Sequence, residues 1–260
     1  MTYPPALVCV VFFVVLWFSA LIGWAFQRKL KALDEDLRQD FGLILASTLT
    51  LLGLIIGFSF SMATNRYDQR KNYEEAEANA IGTEYVRADL LPAADAAKVR
   101  ALLRKYLDQR VLFYLTQDEQ EFQQTIARTA QLQTELWSAV LAPATAQPTA
   151  VVALAVSGMN DVLNTQGYTQ AGFWNRIPVA AWALMGMIAI ACNLLIGYNS
   201  RSVNAGSKLL PILPLLVSIA FMLIADIDTP RRGLIRVRPQ NLISLAESLR
   251  PQSAVNFHPQ

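Results

Sequence analysis

The sequence predicts an all-α integral membrane protein with four transmembrane helices and a helical domain outside the membrane. Three observations predict it. The 260 residues are 53% hydrophobic and only 16% charged, against about 25% charged in soluble domains. Four apolar runs, 6–26, 41–63, 177–198 and 209–225, are separated by polar sequence, and each is near the length that crosses a bilayer as a helix. Between the second and third runs, 64–176 is rich in helix formers and spaces its apolar residues at helical intervals.

The first run, ALVCVVFFVVLWFSALIGWAF at 6–26, has no Lys or Arg before it and is longer than a secretory signal core, so it reads as a span. Trp17 and Trp24 suit interfacial anchors. The connection 27–40 holds four basic and four acidic residues and could form an interfacial helix.

The second run, FGLILASTLTLLGLIIGFSFSMA at 41–63, is 23 residues without a charge. Ser47, Thr50, Leu54, Gly57 and Ser61 recur at spacings of three and four, which places small and polar groups on one helical stripe. Two readings are open. Gly53, Gly57 and Ser61 form a small-residue ladder that lets helices approach closely, or the stripe lines a pore shared by several copies.

The helix is expected to continue past 63 until Pro92 stops it. A second helix should run over 93–115, with Val99, Leu102, Leu103, Tyr106 and Leu107 on one face. Thr116 or Asp118 can cap a third, to about 141, with Phe122, Ile126, Leu132 and Trp137 as apolar positions. APATAQPT at 142–149 reads as a loop by its prolines, and a fourth helix reaches about 163. The third span, 177–198, starts beside Pro178, where a missing N–H costs little. The fourth, 209–225, carries Pro211 and Pro214, and Pro214 could kink it. In the tail, 226–260, Leu242, Leu245 and Leu249 share a face and predict a short docked helix.

Composition narrows function. A net charge of +2 gives no argument for nucleic acid. His258 is the single histidine, and Cys9 and Cys192 sit in separate apolar runs, so neither histidine catalysis nor a zinc site is signalled. Nucleophile–base pairs and glycine-rich phosphate loops are also missing from the sequence, and the spans hold no acid for an intramembrane carboxylate enzyme; an enzyme is not expected, nor a cofactor or metal. Glu74, Glu75, Glu77 and Glu84, with Asn79, read as a solvated or salt-bridged helix face. Asn160 and Asp161 read as caps or cross-bundle hydrogen bonds, and Asp226 and Asp228 as interfacial. Asn65, Arg66, Asp68 and Arg70 could form a vestibule ring that attracts ions, or serve as junction anchors and intersubunit ion pairs. Arg66, Arg70, Lys71, Arg176, Arg231, Arg232, Arg236 and Arg238 outnumber Arg28, Lys29, Lys31, Arg38, Arg201 and Lys208 across the spans, eight to six. Both termini and 64–176 are therefore expected in the cytoplasm, in an inner (plasma) membrane.

The junction carries a further pattern. GFSFSMATNRYDQR at 57–70, EAEANAIGTEYVRADLLP at 75–92 and LRKYLDQR at 103–110 occur in order, followed by NRIPVAAW at 175–182, DIDTP at 226–230 and RPQNLISL at 238–245. Together these resemble the bestrophin-like family of bacterial membrane proteins, distant relatives of the bestrophin channels. The resemblance covers most of 57–249 and implies a bestrophin-like fold with four spans, cytosolic termini and a homopentamer that passes small ions, anions foremost. It also implies an apolar neck on the second span, with bulky residues every four positions: Leu54, Phe58 and Met62 match, and Ile56 with Phe60 is a rival register. With the polar stripe, the expected pore lining is Ser47, Thr50, Leu54, Phe58, Ser61 and Met62. The sequence departs from bestrophins at Asn65, Tyr67 and Arg70, whose spacing differs, and in lacking their tryptophan pair. Only Asp226 and Asp228 stand where calcium-activated bestrophins have an acidic run. The alternative function is a non-conducting membrane-anchored interaction protein whose cytoplasmic helices bind a partner.

Overall fold

Helix formation follows the apolar runs and the proline positions. The computed structural model describes residues 5–29, 35–200, 209–231 and 233–250, and the side chains among them other than 28–29 and 35–38. Those residues form α1 (Pro5–Lys29), α2 (Glu35–Arg87), a 3₁₀ turn (Ala88–Leu90), α3 (Ala93–Leu115), α4 (Glu119–Ala146), α5 (Ala150–Trp174), α6 (Val179–Asn199), α7 (Ile212–Asp228) and α8 (Gln240–Ser248). Pro92, Pro178, Pro211 and Pro239 occupy the N-caps of α3, α6, α7 and α8. A proline there ends the preceding segment and donates no N–H that the helix would leave unpaired. Pro214 lies in the first turn of α7, where its missing N–H also costs no helical bond, so it needs no kink.

The structure corrects three expected boundaries. α2 ends at Arg87 in the 3₁₀ turn, before Pro92 is reached. α4 continues through Ala142–Ala146 with Pro143 inside it; the proline forgoes the one N–H bond of its own position, and its carbonyl still accepts from Gln147 N–H. α5 runs to Trp174 rather than 163, with Thr149 Oγ1 accepting from Val152 N–H at its start. Asp118 caps α4, accepting from Glu121 N–H at 2.9 Å. His258, residues 30–34 of the 27–40 connection and residues 201–208 of the 199–208 connection lie outside the described residues.

The chain divides into two units, residues 1–67 with 176–236, and 68–175 with 237–260. In the first unit Leu16, Leu52, Met185, Ala189, Cys192, Val217 and Phe221 form the core. Phe12 and Phe221 meet edge to face at 4.8 Å. α1 and α6 touch backbone to backbone: a Cβ on Gly23 would lie 2.0 Å from Leu194 O, and one on Gly197 would lie 1.9 Å from Ala20 O. Ser19 Oγ adds a hydrogen bond to Ile190 O at 2.8 Å. Close small-residue packing is the usual device for joining apolar helices without a hydrophobic drive between them.

In the second unit the predicted face of α3, Val99, Leu102, Leu103, Tyr106 and Leu107, is buried among Ile81, Leu132, Leu136, Met159 and Val162. α8 sits on this core through Leu242, with Leu245 and Leu249 packed against it. Pocket space is modest; one cavity of about 180 Å³ in the first unit is lined by Pro5, Val8, Ile177, Trp182 and Thr229.

Among the described residues, three stretches are long and apolar enough to cross a membrane: Pro5–Gln27, Gln39–Leu90 and Ala150–Asn199, the last containing α6. α7 has 17 residues.

Candidate functional site

α2 presents two opposed faces over its apolar half. Leu52, Ser59 and Ala63 are buried, and Leu49, Ile55 and Ile56 pack against the same cores. Ser47, Thr50, Leu54, Phe58, Ser61 and Met62 are all exposed, Leu54 to 52% and Phe58 to 62%. At 3.6 residues per turn the stripe is centred roughly 160° round the helix from the buried face. Gly53 and Gly57 have open space where a Cβ would be. The small-residue ladder is thus not packed against the chain's own spans; that role falls to Gly23 and Gly197. Of the two neck registers, Leu54, Phe58 and Met62 are exposed together, whereas Ile56 packs into the core and only Phe60 of its pair is exposed.

Four hydroxyls on and beside this stripe are engaged. Ser47 Oγ donates to Leu43 O at 2.8 Å, Thr48 Oγ1 to Ile44 O at 2.7 Å, Thr50 Oγ1 to Ala46 O at 2.9 Å and Thr64 Oγ1 to Phe60 O at 3.0 Å. Each is the local bond to a carbonyl one turn back that mid-helix Ser and Thr make. At Ser47 and Thr50 the stripe therefore presents oxygen lone pairs and a methyl group, with the donors turned inward, beside the apolar side chains of Leu54, Phe58 and Met62.

The four junction residues separate. Asn65 and Asp68 are exposed. Arg66 donates to Asp228 Oδ1 at 3.3 Å. Arg70 is buried, 2% exposed. Asp228 is buried too and also accepts from Ile177 N–H at 3.0 and 3.2 Å. Asp226 accepts from Leu234 and Ile235 N–H at 2.7 and 2.9 Å. Each of these two aspartates is a buried acceptor for backbone N–H groups.

The acidic face of α2 is salt-bridged at Glu77 and solvated only at Glu75. Glu74, Glu77 and Glu84 are buried, while Glu75 is exposed. Glu77 pairs with Arg110 of α3, and Thr169 Oγ1 donates to its Oε2 at 3.1 Å. Burial alone would lower the Arg110 pKa; the charge and hydrogen bond of Glu77, with Tyr106 and Tyr114 beside it, together outweigh that and hold the guanidinium above its ordinary range. Burial also pushes the Tyr114 hydroxyl upward, and the Glu77 charge adds to it. Glu74 accepts from Asn241 Nδ2 at 2.6 Å and Leu242 N–H at 3.0 Å, supplying α8 with the cap that Pro239 cannot. Asn160 and Asp161 lie mid-helix and exposed, so neither is a cap; Asp161 stands 3.9 Å from Arg87. The available signal was that 74, 77, 81, 84 and 88 share one helical face, and Ile81 and Ala88 are core residues. Among the described residues no group of three or more His, Cys, Asp or Glu is placed to hold a metal.

The fold is similar to solved bacterial proteins. A bestrophin homologue from Klebsiella pneumoniae, solved by zinc phasing, aligns with a TM-score of 0.63 at 13% identity, over 94% of this chain and 96% of that one. A substituted form of a Klebsiella pneumoniae homologue gives 0.62 at 13%, over 94% and 97%. A structure described as a membrane protein gives 0.63 at 12%, over 92% and 97%. No curated protein matches. The sequence profile of the Bestrophin-like domain matches residues 12–242, and the chain with its all-helical fold belongs to the bestrophin-like family.

Proposed function

We propose that this chain assembles as a homo-oligomer, a pentamer on the family's pattern, and passes small ions along a pathway lined by α2. Anions are the favoured cargo. In this reading α1, α2 to about residue 63, α6 and α7 cross the inner membrane, and both termini and the helices of 64–176 lie in the cytoplasm. α7, at 17 residues, is at the short end of the lengths that span a hydrocarbon core. The pathway is passive, with no catalytic group, cofactor or metal.

The observation that carries the reading is the exposed stripe of α2. Lipid is served as well by Leu or Ile, and gains nothing from Ser47, Thr50, Gly53, Gly57 and Ser61. Around a common axis the same stripe alternates wettable rings with apolar ones at Leu54, Phe58 and Met62, an arrangement that can gate by dewetting. A hydroxyl that meets an anion must turn its O–H away from the carbonyl it now bonds, at about 1 kcal/mol, so the rings are adaptable rather than rigid donors.

One observation favours the non-conducting alternative. The open Gly53–Gly57–Ser61 ladder, with the nearby Ser47 and Thr50 hydroxyls already satisfied, would let copies pack tightly enough to leave no axis. Cryo-EM of the protein in lipid nanodiscs separates the two. Copies arranged with Leu54 and Phe58 facing a central axis support the channel. A monomer, or copies whose α2 faces interlock, would overturn it in favour of an interaction protein.

A further inference from the structure

α5 crosses the 68–87 part of α2 at Gly158. A Cβ at Gly158 would lie 2.1 Å from Glu84 Oε2 and 2.7 Å from Arg87 Nη1. The Glu84 carboxyl therefore fills the space that any other residue at 158 would need. Glu84 is 0% exposed, and neither of its oxygens has a hydrogen-bond partner. A charged carboxylate in such a place is costly; a neutral acid is much less so.

Among the described residues no counter-charge is in contact with it. Arg87, one turn on, leans to Asp161 of α5 at 3.9 Å. From α3, Arg100 pairs with Asp89 and donates to Tyr85 O, and Arg104 donates to Tyr85 Oη. α8 presents Leu245 to Gly82. We propose that the α2–α5 seam at Glu84 and Gly158 is a proton switch, shut while Glu84 is protonated and opened when Glu84 gives its proton to solvent.

The direction of titration agrees with that geometry. Burial pushes the Glu84 carboxyl from 4.5 up to about 8, with Arg87 opposing and Asp161 adding to the rise. The shut seam binds the proton more tightly than an open one. Its advantage is complete below the ordinary glutamate value, falls up to about tenfold per pH unit as pH rises, and levels off above about 8. The switch thus operates across the cytoplasmic range.

The test is hydrogen exchange of the full-length protein in nanodiscs, wild type against E84Q, from about pH 6 to about pH 9. Taking the ratio of the two cancels the intrinsic pH dependence of exchange. The expected ratio for peptides of α5 rises with pH by up to about tenfold per unit and then reaches a plateau, while peptides of α4 stay flat. A flat ratio in α5 overturns the proposal. D161N, altered at an exposed side chain, provides a second arm should E84Q not fold. Removing the neighbouring negative charge should move the wild-type plateau to lower pH, and an unmoved plateau overturns the proposal equally.

Discussion

Arg110 of α3 and Glu77 of α2 form an ion pair with both side chains buried, and the guanidinium also stands 4.3 Å over the Phe113 ring. Removing one partner leaves an uncompensated charge. E77A should destabilise the protein by about 3–5 kcal/mol, read by thermal unfolding in detergent. Replacing the pair together, as E77L with R110M, should recover most of that loss, because the desolvation cost vanishes along with the attraction.

Glycine tolerance should differ sharply between helices. G197A drives a methyl into Ala20 O, and the overpacking should cost about 3 kcal/mol and lower the yield of monodisperse protein. G57A meets open space in the single chain and should shift its unfolding by less than about 0.5 kcal/mol. Any larger effect of G57A should appear in oligomer yield, measured by native mass spectrometry.

The bulky exposed residues of α2 are where conductance should be sensitive. L54A and F58A should raise ion flux several-fold in proteoliposomes by widening an apolar constriction. Currents indistinguishable from wild type in both would remove α2 as the pathway.

Glu74 holds the start of α8 through Asn241 and Leu242. E74A should loosen that helix by about 2 kcal/mol, which is close to thirtyfold in local opening. Limited proteolysis should then cut near residues 240–249 faster, with the helices of 93–174 unchanged.

Much of the fold was legible where a local signal ends a helix. α3 begins and stops at 93 and 115 as expected, because Pro92 fixes its start. α4 overran its predicted end because the helix carries Pro143 inside its last turn, forgoing one N–H bond, instead of breaking at it. The stripe of α2 was legible from spacing, but what it faces was not, since spacing defines a side of a helix and not its neighbour. The burial of Glu77 was hidden for a different reason. Its partners Arg110 and Thr169 lie 33 and 92 positions away, and a carboxylate looks solvated until the residue that neutralises it is found.

Asp228 draws Arg66 and the Ile177 backbone to one carboxylate. In terms of inheritance, this ties together positions 162 and 51 residues apart. An exchange at 228 takes from Arg66 the carboxylate it bonds, so a change at 228 should be followed by one at 66 across descendants. Position 177 enters the bond only by its N–H. As far as that bond is concerned, every residue but proline serves there, and the link leaves no mark on its side-chain identity. A constraint between two side chains is therefore visible to comparison of sequences, whereas one held by backbone is silent.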